Sequence, residues 1–105
     1  MSGERGTVMA EYVISELAAN DLREIADYTR RMWSEEQAER YLRMLFGELA
    51  RLAECPFVGR SYDEYRVGLR GRSCGKHVVL YRVLSRNKVR IVRVLHKRMD
   101  LPRHL

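Results

Sequence analysis

The sequence predicts an α+β fold in which a helical hairpin packs on one face of an antiparallel sheet, in the order β-α-α-β-β-β. Two observations predict this fold. Apolar residues recur at spacings of three and four in two consecutive segments between residues 17 and 54, as on the buried faces of helices. Short runs rich in β-branched residues precede and follow those segments, and a tight connection joins the last two runs.

The length and composition fit one globular unit. The chain has 105 residues, of which 46% are hydrophobic, and this excludes intrinsic disorder and a multidomain enzyme. We expect a polar, poorly ordered extension over residues 1–9 and a single domain over residues 10–105.

The first strand and the first helix are adjacent. Residues 11–14 are rich in β-branched and aromatic side chains and predict a strand. Ser15 follows as a helix N-cap, and the apolar spacing predicts a helix over about residues 17–32. The acidic residues of this helix, among them Asp21 and Glu24, are expected on its solvated face.

A second helix is predicted from Ser34 to the neighbourhood of Cys55. Ser34 and Gln37 have the spacing of a capping box, and Pro56 disfavours helical backbone in the residue before it. The apolar stripe of this helix consists of Ala38, Tyr41, Leu42, Leu45, Leu49, Leu52 and Ala53. Because one or two residues separate the helices, they form an antiparallel hairpin, and a loop over residues 57–66 follows.

Three strands are predicted over residues 67–73, 77–84 and 89–96, as an antiparallel meander with the first strand at its edge. The last two strands carry apolar side chains on both faces. We expect an exposed apolar face rimmed by Arg82, Arg90 and Arg93, which is typical of a protein-binding site. The alternative is a curved sheet whose second face is partly closed by the C-terminal segment.

The charge is distributed unevenly. Residues 1–59 carry a net charge of −4 and residues 60–105 a net charge of +10, which predicts a basic face and an acidic or nucleic-acid partner. No apolar run approaches the roughly 20 residues that span a bilayer, and the N-terminus has no signal-peptide core. We therefore expect a cytoplasmic protein with no membrane contact, in which Cys55 and Cys74 are reduced thiols.

The residue types leave the chemistry open. Cys74 and His77 are close in sequence but lack an orienting carboxylate, and His77, His96 and His104 lack the spacing of a metal site. We therefore predict no catalytic residue, metal or cofactor. Basic residues could line one concave surface of the sheet: Arg70, Arg72, Lys76, Arg82, Arg93, His96, Lys97 and Arg98. Such a surface suits metal-free RNA cleavage, DNA phosphate binding or the docking of an acidic peptide.

The C-terminal run resembles the ParE branch of the RelE/ParE toxin superfamily. The resemblance is carried by His77-Val78-Val79-Leu80-Tyr81-Arg82, then by Arg93-Val94-Leu95-His96-Lys97-Arg98-Met99-Asp100, and finally by His104-Leu105. The N-terminal half is similar to the family's helix pair through Ala19-Asn20-Asp21-Leu22, Trp33 and Gln37-Ala38-Glu39-Arg40-Tyr41. The similarity extends from about residue 10 to the end, and the C-terminal motif is the specific part.

The resemblance implies a RelE/ParE-like fold and the toxin of a type II toxin–antitoxin module. ParE-type toxins inhibit growth by poisoning DNA gyrase without a catalytic site of their own. A ParD-like antitoxin neutralises them by wrapping an acidic C-terminal segment around the toxin, and no direct nucleic-acid contact is expected outside that complex. The alternative is a RelE-like ribosome-dependent mRNA endonuclease, which would be a metal-free enzyme. The candidate contacts with antitoxin or target are Arg70, Arg72, Arg82, Arg93, His96, Arg98, Met99, Asp100, His104 and Leu105.

Overall fold

The computed structural model of the protein describes residues 9–105, and it confirms the predicted order of the main elements. The predicted extension over residues 1–9 lies outside the described residues except for Met9, so the domain boundary stays a prediction. The strands are β1 (Glu11–Ile14), β2 (Arg60–Ser61), β3 (Leu69–Cys74), β4 (His77–Ser85) and β5 (Lys88–His96). The helices are α1 (Glu16–Met32), α2 (Glu35–Glu54) and α3 (Leu101–His104). No helix within residues 9–105 is both long and apolar enough to cross a membrane.

The sheet has five strands in the order β1-β5-β4-β3-β2. Strands β3, β4 and β5 form the predicted antiparallel meander, whereas β1 pairs with β5 in parallel, so the sheet is mixed rather than antiparallel. The short strand β2 lies where the sequence predicts a loop, and it pairs antiparallel with β3.

Both long helices begin where the sequence predicts. The Ser15 hydroxyl accepts a hydrogen bond from the Ala18 amide at 3.0 Å, and the Ser34 hydroxyl accepts one from the Gln37 amide at 3.1 Å. Each contact satisfies an amide that the first helical turn leaves without a partner. Cys55 is the C-cap of α2, as the following proline requires.

The main core lies between the hairpin and one face of the sheet. Leu45, Leu49 and Leu52 of α2 are fully buried there against residues such as Val79 and Tyr81 of β4. The Tyr81 hydroxyl donates to the Pro56 carbonyl at 2.7 Å and accepts from the Gly59 amide at 2.9 Å. Tyr81 is therefore a core ring with a bonded hydroxyl, and burial raises its pKa.

The second face of the sheet is not exposed, so the prediction of an open apolar face is wrong, and the C-terminal segment partly closes this face as the alternative predicts. Four residues of this face, Leu69, Val78, Leu80 and Leu95, are buried. They are covered by Tyr62, which precedes β3, and by Leu101 and Leu105 of the C-terminal segment. The Arg66 guanidinium donates to the Leu105 carbonyl, and Arg93 donates to the His104 carbonyl at 2.8 Å. Two arginines thus hold the C-terminal segment against a face that the meander leaves apolar.

Candidate functional site

The predicted basic residues do not share one concave surface, which corrects the sequence interpretation. Arg70 and Arg72 lie on the helix-facing side of β3, where Arg70 donates to the Gly59 carbonyl at 2.6 Å. The guanidinium of Arg72 lies 3.5 Å from the Glu48 carboxylate. Arg82 lies on the opposite face and donates to the Val67 carbonyl at 2.7 Å. These three arginines therefore stabilise the loop that surrounds β2.

Arg93 forms an internal ion pair rather than a free basic site. Its Nε and Nη2 donate to the two Asp21 carboxylate oxygens, each at 2.8 Å, and the Val94 amide donates to the same carboxylate at 2.9 Å. Asp21 is buried, so its expected position on the solvated face of the helix is wrong. The hydrogen bonds that Arg93 donates to Asp21 raise the pKa of Arg93. Strand β1 pairs with β5 only as far as Ile91. Beyond that residue, hydrogen-bond partners for the β5 backbone come from the start of α1.

The remaining predicted residues divide between two places. His96, Arg98 and Met99 line a cavity of about 800 Å³, which we call the hairpin–sheet groove. Its helix wall consists of Asp21, Glu24, Ile25, Tyr28, Thr29, Trp33 and Tyr41, and its sheet wall consists of Gly75, Lys76, His77, Val94, His96, Lys97, Arg98 and Met99. Asp100, His104 and Leu105 belong to the segment on the other face, where the Asp100 carboxylate lies 3.8 Å from Arg103.

Two imidazoles lie side by side in the groove. The His77 and His96 ring centroids are 5.3 Å apart, and the rings are nearly perpendicular. The Tyr41 hydroxyl accepts from the Lys76 amide at 2.9 Å and lies 2.6 Å from Nδ1 of His77. The Tyr41 hydroxyl still has its own proton to donate, and Nδ1 of His77 is the acceptor within reach, so Tyr41 donates to that nitrogen.

Burial dominates the ionisation of the inner histidine. It lowers the pKa of His77 to about 4, with a smaller contribution in the same direction from the charge of His96, whereas Asp21 acts in the opposite sense. His77 is therefore neutral at pH 7. Burial also raises the pKa of Tyr41, so its hydroxyl remains protonated.

A glycine allows the tyrosine to reach the turn between β3 and β4. Gly75 has a φ of +59°, and a Cβ atom built on it would lie 2.8 Å from the Tyr41 ring. No other residue type combines that backbone with that contact at low cost. Tyr41, which lies in the groove and in the apolar stripe of α2, is not among the functional residues predicted from the sequence. Its hydroxyl is the only one in that stripe, and it was the sequence feature that could have indicated a functional role.

The walls of the groove carry opposite charges. Lys76, Lys97 and Arg98 on the sheet wall are exposed, and none of them forms a salt bridge within residues 9–105. Lys76 lies 5.6 Å above the Trp33 ring. Asp21 and Glu24 line the helix wall. The described residues contain no group of three or more His, Cys, Asp or Glu side chains that could hold a metal ion.

The chain matches known proteins along nearly its whole length. Residues 12–101 match the family described as ParE toxin of type II toxin–antitoxin system, parDE. Toxin ParE1 of Mycobacterium tuberculosis is 44% identical over 96 residues, which cover 91% of this chain and 98% of that protein. Toxin ParE1 of Caulobacter vibrioides is 40% identical over 97 residues, with 92% and 99% coverage. Toxin ParE of Escherichia coli is 38% identical over 95 residues, with 89% and 90% coverage.

Two solved structures share the fold. A chain of the chromosomal ParDE system from P. aeruginosa superposes with a TM-score of 0.70 at 19% identity, covering 84% of this chain and 96% of that one. A chain of the RelBE2 toxin–antitoxin complex from Mycobacterium tuberculosis superposes with a TM-score of 0.58 at 23% identity, covering 86% and 100%. At these identities the likeness concerns the fold alone.

Proposed function

Because the chain belongs to the ParE toxin family of type II toxin–antitoxin systems, we propose that it inhibits growth by poisoning DNA gyrase and that a ParD-like antitoxin neutralises it. In this proposal the toxin traps gyrase on cleaved DNA in the cytoplasm. It acts by binding, without a catalytic site of its own.

The internal use of the arginines is the observation that carries this proposal. A metal-free nuclease needs free arginines beside a proton-transfer group, so that they can stabilise the charge of the transition state. Here Arg93 is paired with Asp21, and Arg70 donates to the backbone of the Gly59 loop. Arg98 is the only arginine among the described residues that lines the groove, so the surface left for a target favours docking over chemistry.

The antitoxin part of the proposal is supported by the charge distribution. The C-terminal portion, residues 60–105, carries a net charge of +10, and Lys76, Lys97 and Arg98 line the groove without a salt bridge to any of residues 9–105. An acidic segment that orders on binding would supply both apolar contacts and carboxylates. The two structural neighbours come from toxin–antitoxin systems, which is consistent with such a partner.

A supercoiling assay tests the gyrase proposal directly. Purified toxin at molar excess is expected to abolish supercoiling and to trap cleaved DNA, and the antitoxin is expected to restore activity. Gyrase that is unaffected by excess wild-type toxin would contradict the proposal.

The second candidate function is cleavage of mRNA on the ribosome. It is favoured by the residue types in the groove, where His77, His96 and Tyr41 offer proton transfer and Lys97 and Arg98 offer phosphate binding. Induced cells would then contain codon-linked transcript cuts that His96→Ala abolishes. Intact transcripts during growth arrest would exclude this function.

A further inference from the structure

The two histidines of the hairpin–sheet groove have their Nδ1 atoms occupied. The Arg98 amide donates to Nδ1 of His96 at 3.1 Å, and Tyr41 lies 2.6 Å from Nδ1 of His77. Because Nδ1 accepts a hydrogen bond in each ring, the ring proton lies on Nε2. Within residues 9–105, neither Nε2–H has a hydrogen-bond partner. Neither nitrogen is one of the fully buried polar atoms that lack a partner in that part of the chain. Two residues that line the groove thus each carry an N–H donor that is unused within the described residues.

The surroundings of this donor pair are positive on the sheet side. The charged or titratable groups that face it are Tyr41 from α2, Asp21 and Glu24 from α1, and Lys76, Lys97 and Arg98 from the sheet wall. The Asp21 carboxylate is consumed by Arg93 and by the Val94 amide. The three cations have no ion pair among the described residues, so a bound anion would meet donors and charge that are otherwise unused.

We propose that the groove seats a carboxylate side chain of the antitoxin on the Nε2–H groups of His77 and His96, with Lys97 and Arg98 beside it. The inference rests on the proposed antitoxin and specifies where one of its acidic residues binds. The apolar side chains of Ile25 and Tyr28 then receive the apolar neighbours of that residue.

A protein segment suits the groove better than RNA because the two walls differ in sign. A nucleic-acid strand carries a phosphate at each nucleotide and would run along Glu24 as well as along the cations. An amphipathic segment can present its carboxylate to the sheet wall alone. The apolar side chains of the helix wall also favour apolar contact over phosphate binding.

The first experiment examines the site without the antitoxin. Glutarate serves as the carboxylate probe, glutaramide as its uncharged counterpart, and the histidine ring nitrogens of the full chain are followed by NMR. Glutarate is expected to shift Nε2 of His77 and His96 while the exposed His104 ring stays unchanged. Equal effects of glutarate and glutaramide, or equal shifts at all three histidines, would overturn the site.

The second experiment measures the affinity of the full chain for the antitoxin encoded by the neighbouring reading frame. We expect His96→Phe and Arg98→Gln each to weaken binding by about tenfold or more, because each removes a hydrogen-bond donor or charge that faces a carboxylate. The control Arg86→Gln removes the same charge as Arg98→Gln from an exposed turn and is expected to change affinity less than about twofold. His77→Phe provides a further variant should His96→Phe fail to fold.

The outcomes separate this inference from the proposed function. An antitoxin that binds wild type and every groove variant equally would overturn the inference and leave the function standing. An antitoxin that never binds would overturn the antitoxin part of the function and this inference with it, even if the glutarate shifts were intact. A single-stranded RNA that shifts both imidazoles more strongly than glutarate or the antitoxin would overturn the inference in favour of RNA.

Discussion

The two faces of the sheet are both apolar, but they are covered in different ways. On one face, two long helices bury side chains such as Leu49 completely. On the other face, a four-residue helix and the chain around Tyr62 cover Leu80 and Leu95, and their own apolar residues Leu101 and Leu105 remain half-buried. The two faces show that an apolar sheet face can be covered by very different amounts of packing. The thin cover depends on Arg66 and Arg93, which hold its backbone.

The largest expected effect comes from the helix side. Leu49→Ala removes a fully buried side chain and leaves a cavity that the packed hairpin cannot fill, so we expect a loss of about 2–5 kcal/mol in the free energy of unfolding. Urea denaturation monitored by circular dichroism measures it. A loss smaller than that of Leu101→Ala on the other face would break the comparison.

The Asp21–Arg93 pair joins the helix side to the C-terminal cover. Asp21→Asn keeps the shape of the side chain but leaves the Arg93 guanidinium without its counter-charge, so we expect a loss of about 3 kcal/mol. The matched control is Asp27→Asn on the exposed face of the same helix, which should change stability by less than about 0.5 kcal/mol. Equal effects of the two variants, measured by urea denaturation, would show that the pair contributes nothing.

The buried histidine makes the helix side sensitive to acid. Burial lowers the pKa of His77 from its ordinary value of 6.5 to about 4, so the unfolded chain binds a proton more readily than the folded one between those values. This contribution to stability is present above about pH 6.5 and is lost as the pH falls towards 4. We expect a loss of about 1–3 kcal/mol after allowance for solvent screening.

Denaturation midpoints measured between pH 7 and pH 4 test this dependence. His77→Gln replaces the imidazole by a group that does not titrate, so its stability should vary less with pH over this range. Identical pH profiles of the variant and the wild type would contradict the role of His77.

The smallest expected effect on stability belongs to the C-terminal cover. Leu101→Ala removes a half-buried side chain, and we expect a loss of about 1 kcal/mol or less in the free energy of unfolding. Hydrogen exchange should accelerate at the Arg103 and Leu105 amides while the exchange of α2 stays unchanged. Faster exchange throughout α2 would mean that the two faces unfold together and are not independent covers.

The local elements were predictable because short-range patterns encode them. Ser15 and Ser34 cap their helices as expected, Pro56 ends the second helix, and the hairpin β4–β5 follows from its tight connection. The C-terminal motif similarly indicated the family before any fold was known. These features depend on residues a few positions apart, where steric preference and hydrogen bonding act without help from the rest of the chain.

The sequence by itself determined the helical hairpin, the antiparallel meander, the two-sided apolar hairpin and the basic C-terminal portion. Only the tertiary structure decided that β1 is parallel to β5, that Asp21 is buried on Arg93, and that residues 101–105 close the second face. The tertiary structure also places Tyr41 beside His77, 36 positions away in the chain, and His77 beside His96, 19 positions away. The physical reason is that these contacts join distant segments, so each side chain's environment depends on how all the elements pack rather than on its neighbours in sequence.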